Sequence, residues 1–285
     1  MKRSVTFQAV LAAPMTVLVG FFFAVPLFMA LLMAFRPFDE TTIVGSGWTL
    51  SNFVKALTDS YFYADLGRTL LISALTAFFS LLFGYPLAWH LNNVRSKLLR
   101  LALVLIVLLP LMTSFVVTSF AWILLLGNNG LINRALLSLG IIGDAIPILN
   151  TISGVVIVNT YSYIAFAILP IFASLQNINP SFARAARIHG ATPATAFWRV
   201  TLPLSMPGVV SGGLIVFALS MSGFVVPFII GGGQVMIVPL MIFRYTLQIF
   251  NWPGAAALGV LLFAVTLGLT WLIAALTQRI MKWEN

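Results

Sequence analysis

There is no cysteine in the chain, so neither disulfide bonds nor thiolate-bound metal enter any account of it. Charge is nearly as scarce: 7% of residues are Asp, Glu, Lys or Arg, against 61% hydrophobic. Soluble domains carry roughly 25% charged residues. With a mean hydropathy of +1.07, this composition excludes one and points to a membrane protein. No glycine-rich run ends in Gly-Lys-Ser or Gly-Lys-Thr, which argues against a nucleotide phosphate site. Gly231-Gly232-Gly233 follows no strand and precedes no such lysine, so it reads as a turn. The two histidines, His90 and His189, have no carboxylate nearby in sequence to orient either as a base, which argues against catalysis. No internal repeat or low-complexity stretch is present.

What the chain does have is long apolar runs. Six contain no Asp, Glu, Lys, Arg or His and are long enough to cross about 30 Å of hydrocarbon. They are Pro14 to Phe35, Thr69 to Trp89, Leu101 to Leu126, Leu149 to Phe172, Gly208 to Ile230 and Ala255 to Leu276. The first starts after Lys2 and Arg3 like a signal peptide. Its apolar run is about twice that of a signal peptide and no clear cleavage site follows, so it is expected to remain as a helix. The run Val235 to Phe250 carries Arg244 and is expected to be a partly re-entrant segment rather than a seventh span. Short helices are expected after Thr49-Leu50-Ser51, lying flat on the membrane, and over Leu131 to Leu139.

The basic residues divide unevenly between the two sides. Lys2, Arg3, Arg95, Lys97, Arg100, Arg184, Arg187, Arg199, Arg279 and Lys282 fall on one side, ten in all, against Arg36, Lys55, Arg68, Arg134 and Arg244. Ten against five predicts both termini in the cytoplasm. The net charge of +9 then faces anionic lipid headgroups, and with no basic stripe or stacking platform it does not signal nucleic-acid binding.

The stretch Asn179 to Gly208 is a polar, arginine-bearing island between two apolar runs, and the charge count puts it in the cytoplasm. Asn179 can cap a helix with Pro180 at its first position, and Gly190 stands where a left-handed residue ends one. Thr192-Pro193 repeats the start signal, and Pro203 and Pro207 are expected to end the second helix. The first helix presents Phe182, Ala185, Ala186 and His189 on one face, flanked by Arg184 and Arg187. Taken alone, the segment fits either a partner-docking element or an ordinary loop whose arginines set topology.

Pro180, the pair Ala185-Ala186, Gly190-Ala191, Phe197, Leu202-Pro203-Leu204 and Pro207-Gly208, in that order, resemble the EAA loop of bacterial ABC importer permeases. Arg184 stands where that family usually has glutamate, exchanging a negative contact for a positive one. The resemblance implies a type I ABC importer permease fold. It also implies a coupling role for Pro180, Phe182, Arg184, Ala185, Ala186, Arg187, His189, Gly190 and Ala191. Gly84-Tyr85-Pro86-Leu87-Ala88, Leu109-Pro110, Thr113-Ser114-Phe115 and Asn129-Gly130-Leu131-Ile132-Asn133 are similar to the first permease of spermidine/putrescine-type importers. Such a permease pairs with a second permease, two ATPase subunits that bind ATP and Mg, and a periplasmic substrate-binding protein. This chain would hold no cofactor of its own.

Within the spans, Trp122, Asn159, Tyr161, Tyr163, Met221 and Phe224 are candidates for a substrate pathway, since aromatic faces attract organic cations. Helix packing is the competing reading, above all for the Gly208 to Gly212 spacing. No span holds a charged residue or histidine, which argues against an ion-coupled carrier. The resulting expectation is an all-α, six-span permease subunit in a bacterial inner membrane. Residues 1–64 would form the first helix and a periplasmic loop, 65–277 a five-helix core with a coupling loop over 173–207, and 278–285 a cytoplasmic tail. The expected function is half of a heterodimeric, ATP-driven pore for a small organic solute, a polyamine first among them. The rivals are an importer for another solute, an ion-coupled carrier and a membrane scaffold.

Overall fold

The computed structural model describes residues 2–282, with the side chains of residues 14–15, 17–182 and 184–277. Of the charges counted above, those of Lys2, Arg3, Arg279 and Lys282 lie outside the described side chains, as does the 278–285 tail. Six segments among the described residues are long and apolar enough to cross a membrane: Val17–Ala34, Ser60–Asn93, Phe115–Ser138, Ile152–Asn177, Pro193–Ser222 and Trp252–Thr277. The chain is a six-span helical membrane protein, with one two-residue antiparallel pair, β1 (Phe38–Asp39) and β2 (Ile43–Val44), among the described residues. It divides into two compact units, residues 1–63 with 241–264, and residues 64–240 with 265–285.

In the first unit, α1 (Lys2–Ala34) needs partners for its last carbonyls. Asn52, at the start of α2 (Ser51–Thr58), donates to the last of these, the Ala34 oxygen, at 2.9 Å and to the Arg36 oxygen just beyond the helix at 2.7 Å. Asp39 closes the hairpin by accepting the N–H groups of Thr41 and Thr42 at 2.8 and 2.9 Å. The Thr41 hydroxyl, then the Thr42 and Thr41 N–H groups, hold its pKa down at about 2. A lowered carboxylate pKa favours the folded turn above the ordinary value, and that contribution is lost as pH falls through about 2.

The second unit is built around α7 (Ile152–Asn177), capped by the Thr151 hydroxyl. Around it lie α3 (Ser60–Asn93), α4 (Lys97–Met112), α5 (Phe115–Leu126), α6 (Leu131–Ser138), α8 (Pro180–Ile188), α9 (Pro193–Ala196), α10 (Leu202–Ser222) and α11 (Val225–Ile230). Helices α12 (Val238–Leu247) and α13 (Trp252–Lys282) complete the chain. Ala88 and Leu91 of α3 pack with Ile168, Ile171 and Leu175 of α7. The closest approach is between α7 and α10. A Cβ on Gly208 would lie 2.5 Å from the Pro170 oxygen and 2.6 Å from Ser174 Cβ, so only glycine fits there.

Three expectations are corrected. The run Leu101 to Leu126 is two helices, broken at Thr113 and Ser114. Thr113 takes an extended backbone and its hydroxyl donates to the Pro110 oxygen at 3.1 Å, a side-chain bond in place of a helical one. The run Gly208 to Ile230 breaks at Gly223, because the residue that would donate to its carbonyl is Pro227, which has no N–H. Pro203 and Pro207 do not end the second helix of the island. A π-turn, Phe197–Thr201, carries α9 directly into α10, and Pro203 sits where the hydrogen-bond register changes from five residues back to four.

Gly208→Ala is expected to destabilise the detergent-solubilised protein by about 1–3 kcal/mol, the usual cost of overpacking. Gly268→Ala, on a glycine with nothing within 4 Å of the added carbon, is expected to leave the melting midpoint unchanged or raise it. Thermal unfolding followed by tryptophan fluorescence distinguishes the two.

Candidate functional site

Helix α8 forms as its residues dictate. The Asn179 side chain accepts the Ser181 N–H at 3.0 Å, and Pro180 occupies the first turn. At the other end the Ala191 N–H bonds the Ala186 oxygen and the Gly190 N–H bonds the Arg187 oxygen, both at 3.0 Å. With Gly190 at φ +86°, this is a Schellman turn. A side chain at Gly190 would meet no atom within 4 Å, so backbone conformation alone selects glycine there. Thr192 then caps α9 by accepting the Thr195 N–H.

The helix so framed is largely bare. Pro180, Arg184, Ala185, Arg187, His189 and Gly190 are exposed, and Ala186 and Ala191 are half-buried. Phe182 is 54% and Ile188 84% exposed. Ile188 belongs with the candidate coupling residues, although the sequence reading passed over it. Its signal was an aliphatic side chain in an otherwise polar island, on the face away from Ala186.

A second group of residues not foreseen as functional ties this helix to the spans. Phe197, at the start of the π-turn, meets Tyr85 edge-on at 5.8 Å and Trp89 at 5.6 Å, both on α3. The Tyr85 hydroxyl pairs with that of Ser205 on α10 at 2.9 Å. Helices α8 and α9 are therefore joined to α10 through the chain and to α3 through the rings. Their sequence separations, such as 120 residues between Tyr85 and Ser205, leave no local signal.

The pathway candidates fall into two sets. Trp122 and Tyr161 meet edge to face at 5.5 Å, with Tyr161 38% exposed, and Phe224 is also exposed. Asn159, Tyr163 and Met221 are buried instead, and Tyr163 packs on Phe115 at 5.6 Å. Behind them is a polar interior. Ser73, Thr76 and Ser80 lie on one face of α3, and they, Asn159 and Thr160 of α7 and Ser220 of α10 are all buried with side-chain atoms that find no hydrogen-bond partner. Ile72 clusters with Val155, Val156 and Val158, and Val216 with Tyr163. These registers bring Thr76 and Ser220 to the level of Asn159.

Asn159 is the exception among the three buried asparagines described. Asn52 makes two bonds and Asn133 three, to Gly127 and Ile146. Asn159, at 1% exposed, makes none.

Residues 80–282 match the family described as binding-protein-dependent transport system inner membrane component. The chain belongs to that family. It is 30% identical over 282 residues to the spermidine/putrescine transport system permease protein PotB of Salmonella typhimurium (strain SL1344), covering 99% of this chain and 97% of that one. It is 33% identical over 201 residues to the molybdenum transport system permease protein ModB of Mycobacterium bovis, covering 69% and 74%. Its fold matches, at TM-score 0.77 and 23% identity over 99% of this chain and 96% of the other, a chain in a crystal structure. That structure is of a bacterial alginate ABC transporter in complex with alginate pentasaccharide-bound periplasmic protein. The chain is thus an ABC importer permease subunit and a multi-pass protein of the bacterial inner membrane.

For this permease, Asn159→Leu is expected to raise stability, because an unpaired buried polar group costs about 1–3 kcal/mol. The melting midpoint in detergent should rise while transport by the assembled importer falls. A lowered midpoint would mean that the carboxamide is structural.

Proposed function

We propose that this permease forms half of a heterodimeric pore for a small organic cation of the polyamine type, and that α8 is its coupling helix. The observation that carries the coupling assignment is the bare α8, fixed by a glycine-dependent turn and continuous through a π-turn with a span. In this reading the end of the molecule carrying α8 faces the cytoplasm, as the ten-to-five division of basic residues favours. Two ATPase subunits dock there, binding ATP and Mg, and a periplasmic protein delivers the solute at the opposite face. Closure of the ATPase pair moves α8 as a rigid body, and α10 and α3 follow.

The substrate assignment leans on the similarity to PotB, whose name specifies spermidine and putrescine. The pair of half-buried Trp122 and exposed Tyr161, with Phe224, offers π faces to such a cation, while Asn159, Tyr163 and Met221 act from behind the wall. Similarity to ModB favours one alternative, an importer for another small solute. ATP-dependent uptake of radiolabelled spermidine and putrescine into proteoliposomes holding the whole importer tests this. Uptake of neither, with transport of molybdate instead, overturns the polyamine reading.

Orientation has its own test, aided by the absence of native cysteine. Introduced singly, Ser46→Cys is expected to react with a membrane-impermeant maleimide in intact cells freed of the outer membrane, and Ser181→Cys only after lysis. The reverse pattern would invert the topology and remove α8 from the ATPase side.

Gly190→Val places a β-branched residue at a positive φ, at a cost of about 1–2 kcal/mol. Because α8 is exposed, the protein is expected to fold and assemble while ATP hydrolysis and uptake become uncoupled. Normal uptake per ATP by Gly190→Val would show that α8 is not the coupling element.

A further inference from the structure

Beside α8 lies a cavity of about 530 Å³ whose wall is shared by four parts of the chain. Trp89 and Asn92 come from the end of α3, Gln176 from the end of α7, Arg187 from α8, and Phe197 and Thr201 from the π-turn. No acid lines it. None stands nearby in sequence either, since no Asp or Glu occurs between Asp65 and Asp144 or between Asp144 and Glu284. Among the described residues, the Arg187 guanidinium and the Asn92 and Gln176 carboxamides have no hydrogen-bond partner. Two other carboxamides at the rim are engaged: Asn93 donates to the Trp89 oxygen and Asn179 caps α8.

We propose that this cavity is a socket for an acidic side chain of the ATPase subunit, so that the ATPase contact reaches beyond the 173–207 loop to the end of α3. The inference rests on the coupling role proposed for α8 and adds to it a second point of attachment. An uncompensated guanidinium flanked by amide donors in a partly enclosed space matches a carboxylate, which accepts several hydrogen bonds and supplies the missing charge. Arg187 and Gln176 are exposed and Asn92 half-buried in the chain alone, so the docked ATPase would supply the shielding from water that makes such a pair stronger than one between solvated surface charges. The occupant is committed to the ATPase because α8, which forms one wall, is the element that docks on it.

The consequence is mechanical. Asn92 follows directly on Leu91, which packs into α7 beside Ile168, Ile171 and Leu175. A carboxylate held between Arg187 and Asn92 grips α3 and α8 together, and motion of the ATPase is delivered to two spans at once rather than to α10 alone.

The test uses the complex that co-purifies with the affinity-tagged full chain from its native membranes. Asn92→Asp is isosteric and adds a negative charge inside the socket, and Arg187→Glu reverses the charge there. Each is expected to lower ATPase retention at low salt by about ten-fold or more. His90→Asp adds the same charge on an exposed residue of α3 outside the lining, and is expected to change retention by less than about two-fold. Asn92→Cys, as the only cysteine, is expected to cross-link to the ATPase through a short bifunctional reagent. If Asn92→Asp behaves like His90→Asp, the socket is overturned. It is also overturned if Glu284→Gln reproduces the loss, because the chain's own tail would then be the occupant. A wild-type chain that retains no ATPase would instead refute the coupling role of α8. Loss of retention on Arg184→Glu with Asn92→Asp unaffected would leave α8 as the docking helix and remove the socket alone.

Discussion

The close approach of α7 and α10 is the constraint on which the second unit depends. In hydrocarbon there is little apolar driving force between helices, so association rests on close van der Waals contact and on hydrogen bonds that lipid cannot supply. Gly208 and Gly212 press α10 onto the backbone of α7, at Pro170 and Ala167 respectively. That contact fixes the angle at which α10 leaves the membrane. With it are fixed the π-turn, the position of Phe197 against Tyr85 and Trp89, and the place where α8 is presented. Side chains larger than glycine at these positions would separate the helices and move α8 without touching it.

The sequence made the spans legible because a charge-free run of twenty residues has few alternatives in a membrane. It made α8 legible because caps are local chemistry: Asn179, Pro180 and Gly190 act within a few residues of themselves. The breaks were less visible. Pro227 interrupts the bond to Gly223, but proline is common in membrane helices and is usually accommodated, as Pro86 and Pro170 are within α3 and α7. Pro203 looked like a stop and is absorbed by a π-turn, a register change with no compositional mark. The aromatic contacts of Phe197 and the pairing of Tyr85 with Ser205 depend on how three helices converge, which no spacing along the chain encodes.

Polar residues of the interior separate into those that hold the fold and those that do not. Asn52 and Asn133 finish loops by bonding carbonyls that would otherwise be orphaned, and Thr69 on α3 both donates to Asp65 and accepts from Val238. Just along the same face of α3, Ser73, Thr76 and Ser80 are buried with no partner, and Asn159 opposes them from α7. A protein selected only for stability would place alanine or leucine at such sites, where an unmade hydrogen bond has nothing to offset it. Residues that break a local rule without compensation tend to mark function. By that rule this face of α3 is a candidate working part of the permease rather than scaffold.

The two kinds of feature meet in α3. At one end its polar face lies against α7 and α10 at the level of Asn159, and at the other its rings and carboxamides stand beside α8. A small rotation of α3 driven from the α8 end would carry the unpartnered hydroxyls past Asn159. It would do so at little cost, because no hydrogen bond among them has to be broken first. The same rotation in a helix anchored by satisfied buried bonds would cost about 1 kcal/mol for each bond lost, before any packing term. Leaving those groups unpaired lowers the stability of one arrangement, and it lowers the barrier to leaving it to the extent that the groups gain partners on the way. If the subunit alternates between two arrangements, that is a physical reason for polar groups to persist where packing alone would have removed them.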